Sequence, residues 1–351
     1  MKKLNVGVLG ATGMVGQRFI EGLEHHPYFK IACLAASDRS AGKPYREAAK
    51  WYLAGDIPKH VGDMKVELIG TGIIDEFDLD IVFSAIPSSV AKEVEGSFAE
   101  QVPVYSNTKT YRMESDVPLV VADVNPHHLD LVKVQKENRG WNGHIVTNPN
   151  CSTIGLVVPL KPILDEFGLE WVNVCTMQAL SGAGYDGVPS MAAVDNVIPF
   201  IGGEEEKVEL EPLKILGKME SGRVEDAGFQ VFASCNRVAS LDGHLKSMFI
   251  GTRDDFDIED IVAVLQNYTS VPQELKLPTA PIPPIIVREE DDRPQPRLDR
   301  DAGRGMAVTV GRLRKKSEKK LKLTCLSHNT IRGAAGASIL NAELALKEKL
   351  L

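Results

Sequence analysis

The sequence predicts an α/β chain in two parts: an amino-terminal doubly wound parallel sheet, then an α+β half with a mainly antiparallel sheet. Three observations predict it. Apolar runs alternate with helical patterns from Leu4 to Thr147, and a glycine turn follows the first run. Beyond Cys151 the runs alternate apolar with other residues, as half-covered antiparallel strands do. The 351 residues suit roughly two domains. The expected division is residues 1–150 and 151–329, with the tail 330–351 returning to the first unit.

Each element follows from its pattern. Leu4–Leu9 reads as a buried strand, Gly10–Gly16 as a turn and Met14–Leu23 as a helix. Lys30–Ala36, Asp80–Ala85 and Val102–Tyr105 read as strands, with a helix from Ser89 to Glu100. Leu119–Ala122 and His144–Thr147 add late strands to the same sheet. In the second half, Trp171–Gln178, Phe229–Arg237, Ser247–Thr252, Met306–Leu313 and Leu321–Ser327 read as strands, and Asp257–Tyr268 as an amphipathic helix. Pro278–Arg304 is too long for an idle loop and reads as an extended arm or subunit contact. The Ala-, Leu-, Glu- and Lys-rich tail must bury an apolar face.

Composition narrows the function. Hydrophobic residues make up 43%, charged residues 25%, and the formal net charge is −8, so there is no basic footprint for nucleic acid. The one basic run, Arg312–Lys320, reads as a solvated hairpin turn. Five widely spaced cysteines without a Cys-x-x-Cys argue against disulfides or a zinc site and suit a reducing cytosol. No charged-then-apolar signal segment opens the chain, and no apolar run approaches the ~20 residues that span a membrane.

The run Val6-Gly-Val-Leu-Gly10-Ala-Thr-Gly13-Met-Val-Gly16 sits between a strand and a helix, which is the context a dinucleotide-binding turn requires. The first glycine permits the turn, the second lets backbone approach a pyrophosphate and the third lets helix pack on strand. Gly10, Thr12, Gly13, Met14 and Val15 are the residues such a turn offers a cofactor. At the end of the second strand, Asp38 could accept from a ribose 2′-OH. Ser37, Arg39, Ser40 and Lys43 around it look more like a cradle for a 2′-phosphate, favouring NADP over NAD.

Asn148-Pro149-Asn150-Cys151-Ser152-Thr153 puts a cysteine between a strand and the helical run Thr153–Leu164. Turn and N-cap residues flank it, so Cys151 belongs to a helix start rather than a core. There, unpaired N–H groups and the helix dipole favour thiolate. Pro159 and Pro162 should kink that helix beyond its first turn. Among eight histidines, His25-His26 and His127-His128 read as surface residues. His244 follows a strand and a glycine turn, a loop position suited to a proton partner for the thiol, though spacing alone leaves its role open.

Gly-Ala-Thr-Gly-Met-Val-Gly, Asn-Pro-Asn-Cys-Ser-Thr, Gln178-Ala-Leu-Ser-Gly-Ala-Gly184 and Arg237…Asp-Gly-His244 together closely resemble the aspartate-semialdehyde dehydrogenases, nearest their archaeal and fungal branch. The resemblance runs from Lys3 to the Asn329-Thr-Ile-Arg-Gly-Ala-Ala-Gly segment. It implies a Rossmann-like first domain, a catalytic and dimerisation domain, and a homodimer or homotetramer. It also implies reduction of L-aspartyl-4-phosphate with NADPH through a cysteine thioacyl intermediate, in lysine, threonine and methionine biosynthesis. By resemblance, Cys151 is the nucleophile, His244 the acid/base and Gln178 the residue that orients substrate. Arg237 would clamp the α-carboxylate, Glu204 meet the amino group, and Lys207 and Arg112 bind phosphate. Ser84, Ala85, Ser181, Gly182 and Asn329 would face the nicotinamide end of NADP.

Rival readings are a malonyl-CoA reductase, which has no need of Glu204, and an N-acetyl-glutamyl-phosphate reductase on the same plan. Tyr105-Ser-Asn-Thr-Lys109 formally matches a short-chain reductase pair, but it follows a strand instead of lying on a helix. A non-catalytic NADP sensor would keep the glycine turn and have no use for a reactive thiol.

Overall fold

The computed structural model describes residues 2–351. The first sheet contains β1 (Leu4–Leu9), β2 (Phe29–Ala36), β3 (Val66–Leu68), β4 (Ile81–Ser84), β5 (Val104–Ser106) and β6 (Ile145–Thr147). Their order is β3-β2-β1-β4-β5-β6 and every pairing is parallel. The order reverses between β1 and β4, which opens a crevice at the strands' carboxyl ends. Helix Met14–Leu23 follows β1 directly.

Leu119–Ala122 does not form the expected strand. Only Leu119 bridges to Thr147. Two asparagine side chains take the backbone groups that a neighbouring strand would have taken. Asn125 accepts from Val121 N–H at 2.8 Å and donates to Leu119 O. Asn341 accepts from Ala122 N–H and donates to Val120 O. Buried backbone needs partners, and side chains supply them here.

The second sheet contains β7 (Trp171–Gln178), β10 (Gln230–Arg237), β11 (His244–Gly251), β12 (Ile285–Val287), β13 (Val308–Ser317) and β14 (Lys320–Ser327). A separate hairpin, β8 (Lys218–Glu220) and β9 (Arg223–Glu225), lies between β7 and β10 in the chain. The large sheet runs β10-β7-β11-β14-β13-β12. Three of its five pairings are antiparallel; β10–β7 and β12–β13 are parallel. Helix Cys151–Phe167 packs Leu156, Val158 and Leu160 into the same core as Val174, Met248 and Leu323. The other face of the sheet stays open and exposes Phe232 and Phe249.

Three local expectations change. The basic run Arg312–Lys320 lies mostly in β13, and only Glu318-Lys319 makes the turn. Pro159 and Pro162 both lie inside one helix, which runs from Cys151 to Phe167. Pro159 has no N–H for the Gly155 carbonyl four residues back, and Cys325 Sγ donates to it instead at 3.3 Å. His26 and His128 are buried, not on the surface. His26 Nε2 meets Glu343 at 2.7 Å, and His128 meets the Asn125 side chain at 2.9 Å.

The tail differs from a surface amphipathic helix. A π-helical turn, Ile331–Ala335, leads into helix Gly336–Lys347, buried on every side through Ala345. Ile339, Leu340 and Leu344 share a core with Val6, Phe19 and Phe83. Its polar residues are paired: Ser338 with Asn107, Asn341 with backbone, Glu343 with His26 and Thr279. The arm after Pro278 therefore starts on this helix, through Thr279, and reaches the far edge of the second sheet as β12. Leu340→Ala should cost about 2–5 kcal/mol in denaturant unfolding, as a buried leucine does. A loss under about 1 kcal/mol would show that the tail is not part of the core.

Candidate active site

Strand β6 ends at Thr147, and Asn148-Pro149-Asn150 carries the chain into the Cys151 helix. Asn150 keeps a non-helical backbone, φ −55 and ψ 143, and its side-chain oxygen accepts from Ser152 N–H at 2.8 Å and Thr153 N–H at 3.3 Å. That cap makes Cys151 the first helical residue, half-buried in the wall of a cavity of about 510 Å³. Gly333 of the π-helical turn presses against it. A Cβ there would meet Cys151 Cβ at 2.7 Å.

His244 opens β11 rather than lying in a loop. Its Nε2 is 3.3 Å from Cys151 Sγ. Ala179 N–H donates to Nδ1 at 3.0 Å, so the neutral ring carries its proton on Nε2. Burial, then Lys246, Arg237 and His328, hold the imidazole well below its ordinary pKa and so keep it neutral. Burial also pushes the Cys151 thiol up to about 12, and the Glu204 carboxylate adds to this. Lys246, Arg112 and Lys207 pull it the other way. Burial therefore opposes the ionisation that a helix start favours.

The cavity gathers the other residues expected to meet substrate. Gln178, Arg112, Glu204, Lys207 and Arg237 all line it with Cys151. Glu204 accepts from Asn150 Nδ2 at 2.8 Å, Gln178 Nε2 at 2.9 Å and Lys207 Nζ at 2.6 Å. Burial works to raise this carboxyl, but Lys207, Asn150 and Gln178 outweigh it and hold its pKa below the usual range. Arg112 is paired to the buried Glu211 at 2.9 Å, and Glu211 also accepts Asn150 N–H at 2.6 Å. Arg237 is different: its one side-chain hydrogen bond goes to the Ala179 carbonyl, at 2.6 Å. Most of its guanidinium fork is free to clamp an anion.

The expected cofactor residues divide by position. Val15, Ser181, Gly182 and Asn329 line the cavity with Cys151. Ser181 Oγ donates to Asp242 and accepts from Asn329, while Asn329 also accepts Gly243 N–H, which ties this wall to the turn before His244. Gly10, Thr12, Gly13, Met14, Ser37, Arg39, Ser40, Ser84 and Ala85 lie outside it, at the carboxyl ends of β1, β2 and β4. Gly10 has φ +81, and a Cβ there would meet Ala85 O at 2.6 Å. At Gly16 a Cβ would strike the Gly10 carbonyl, but at Gly13 only Gly10 O comes near, at 3.6 Å. The turn is packed tightly behind and open in front, as a backbone cradle for a pyrophosphate must be. Asp38 accepts the N–H of Arg39, and Lys43 Nζ holds the Arg39 carbonyl at 2.9 Å. The Arg39 guanidinium makes no hydrogen bond or ion pair among the described residues, which fits a 2′-phosphate.

Two sequence profiles match the chain. Residues 5–132 fit the semialdehyde dehydrogenase NAD binding domain, and residues 160–332 fit the semialdehyde dehydrogenase dimerisation domain. The chain belongs to the semialdehyde dehydrogenase family. It is 57% identical over 343 residues to the aspartate-semialdehyde dehydrogenase of Methanothermobacter thermautotrophicus, covering 97% of this chain and 98% of that one. It is 39% identical to the malonyl CoA reductase (NADP) of Metallosphaera sedula, covering 99% and 98%. Its fold superposes on the crystal structure of aspartate-semialdehyde dehydrogenase with NADP from Candida albicans, with TM-score 0.90 and 42% identity over the full length of both chains.

Three residues of this semialdehyde dehydrogenase site escaped the sequence reading. Glu211 lies two helical turns beyond Glu204, a spacing that could have flagged it. Lys246 lies two residues beyond His244 on β11, on the same strand face. Gly333 gave no signal beyond its place in the Arg-Gly-Ala-Ala-Gly run. Tyr105 of the short-chain-like pair is buried in β5, with Lys109 in the turn beyond, so that alternative finds no geometry. Asn150→Ala removes the cap and one Glu204 partner. It should cost about 1–2 kcal/mol in thermal unfolding and slow Cys151 alkylation. Unchanged stability would show that the cap does not position the helix start.

Proposed function

We propose that this chain is the NADPH-dependent reductase that converts L-aspartyl-4-phosphate to L-aspartate 4-semialdehyde and phosphate, and runs the phosphorylating oxidation in reverse. It serves amino-acid biosynthesis, in the lysine, threonine and methionine routes. The observation that carries the reading is the Cys151–His244 pair, with sulfur and ring nitrogen 3.3 Å apart in a cavity that also holds the free fork of Arg237.

The chemistry follows from those groups. Arg237 takes the substrate α-carboxylate, and Glu204 takes the amino group. Lys207 and Arg112 take the phosphate, with Glu211 fixing the angle of Arg112. Gln178, held by Glu204, orients the acyl carbonyl. The Cys151 sulfur attacks that carbonyl as the thiolate, a C–S bond forms, the C–O bond to phosphate breaks and phosphate leaves. NADPH, held by the Gly10–Gly13 turn, Ser37, Arg39 and Ser40, supplies a hydride when bound. Ser84, Ala85, Ser181, Gly182 and Asn329 would hold its nicotinamide end. His244 Nε2–H protonates the developing oxygen, then takes the proton back as the thiohemiacetal collapses to aldehyde and thiolate. The Cys151 backbone N–H at the helix start is a second donor to that oxygen.

Residues 1–150 with the tail 330–351 act as the NADP-binding domain, and 151–329 as the catalytic and dimerisation domain. The open face of the second sheet, bearing Phe232 and Phe249, suits a second copy of the chain, giving a homodimer or a homotetramer built from it. Five free thiols and the absence, among the described residues, of a helix able to span a membrane fit a cytoplasmic enzyme.

The test is reduction of NADP⁺ by L-aspartate semialdehyde with phosphate, beside malonate semialdehyde with coenzyme A. Activity in the first mixture is expected. It should vanish in Cys151→Ala, with NADPH binding kept, and fall about 10–100-fold in kcat/KM in Arg237→Ala. Turnover only in the second mixture would replace this reading with a malonyl-CoA reductase.

A further inference from the structure

A buried lysine lies beneath the Cys151 helix, its pKa lowered by burial and raised by the sulfurs of Cys325 and Cys151. Lys246 is fully buried on β11. Its Nζ donates to the His244 carbonyl at 3.1 Å and to Ser327 Oγ at 3.0 Å, and neither acceptor is charged. Gly155, one helical turn beyond Cys151, makes room for it. A Cβ at 155 would meet Lys246 Nζ at 2.5 Å and would also strike Ser327 Oγ. An ammonium so buried is costly without an anion close by.

Two sulfurs act on this lysine, Cys325 opposite it on β14 and Cys151 one helical turn before Gly155, and they are set for opposite roles. Cys325 Sγ faces the Gly155 carbonyl, the acceptor that Pro159 leaves free, so Cys325 donates and stays a thiol. Cys151 Sγ faces His244 Nε2, which carries the ring proton because Nδ1 already accepts Ala179 N–H. Cys151 is therefore the sulfur placed to accept.

We propose that Lys246 is the buried counter-cation of the Cys151 thiolate, a positioning residue that makes the nucleophile electrostatically. This rests on the role given to Cys151 above. The charged groups facing Cys151 are Glu204 and Lys207 on helix Glu204–Ile215, Arg112 from the loop after β5, and Lys246 on β11, beside the neutral His244. Glu204 opposes the thiolate, and the three cations favour it. Lys207 and Arg112 are paired with Glu204 and Glu211, which leaves Lys246 as the unpaired one of these three, while Arg237 in the same cavity keeps its fork for an anion. Thiol with amine and thiolate with ammonium carry the same net charge. Burial penalises each ion alone, and the pair offsets that penalty.

The test is the pH profile of iodoacetamide alkylation at Cys151, located by peptide mass spectrometry on the full chain. Wild type is compared with Lys246→Met, which keeps the stem, and Lys246→Gln, which keeps a donor for the His244 carbonyl. The expected result is a midpoint raised by about one pH unit or more in both, with alkylation at neutral pH about tenfold slower and NADP⁺ binding retained. An unchanged midpoint in either folded variant overturns the proposal, because a merely structural lysine would not move it. Wild-type Cys151 reacting no faster than the other cysteines would instead overturn the nucleophile itself.

Discussion

The start of one helix organises this molecule. Asn150 caps it through Ser152 and Thr153 N–H, so the turn from β6 into the helix is fixed at Cys151. Everything the chemistry needs is then brought to that point by a different element. His244 comes from the first residue of β11, Gln178 from the last of β7, Glu204 from the first of its helix, and Gly333 from the turn before the tail. Because Gly333 has no side chain, the carboxy-terminal segment can lie against Cys151 and carry its own helix back to the first sheet. A long-range contact thus ties Cys151 to the unit that bears the glycine turn.

The second constraint is charge. Two buried carboxylates, Glu204 in the cavity wall and Glu211 behind it, are each neutralised by a cation and by hydrogen bonds that reach Asn150. Capping, acid placement and cation placement are therefore a single network, and no member can move without unsatisfying another. Arg237 stands outside it, held only through the Ala179 carbonyl, while the neighbouring Ala179 N–H fixes the His244 ring. One residue, Ala179 between β7 and the Ser181 turn, holds Arg237 through its carbonyl and sets the His244 tautomer through its N–H.

The sequence made the glycine turn and the Cys151 helix start legible because local chemistry dictates both. A strand, a glycine at positive φ and a helix must follow one another, and an asparagine beside a helix caps it. Long-range compensation was not legible. Leu119–Ala122 has the apolar run of a strand, yet Asn125 and the distant Asn341 replace its ladder. His26 looked solvated beside a proline, yet Glu343 of the tail reaches it. Pro159 frees a carbonyl inside the helix, and Cys325 takes it. Lys246 had no signature, because a lysine on a strand is ordinarily an exposed residue. In each case the deciding partner lies far along the chain.

The most direct measurement is peptide mapping of enzyme quenched after mixing with L-aspartyl-4-phosphate in the absence of NADPH. With no hydride available the thioester should accumulate, so an aspartyl adduct is expected on the peptide bearing Cys151 and on no other cysteine peptide, with one phosphate released per site. Phosphate release without any adduct, or an adduct on a different cysteine, would contradict the covalent account.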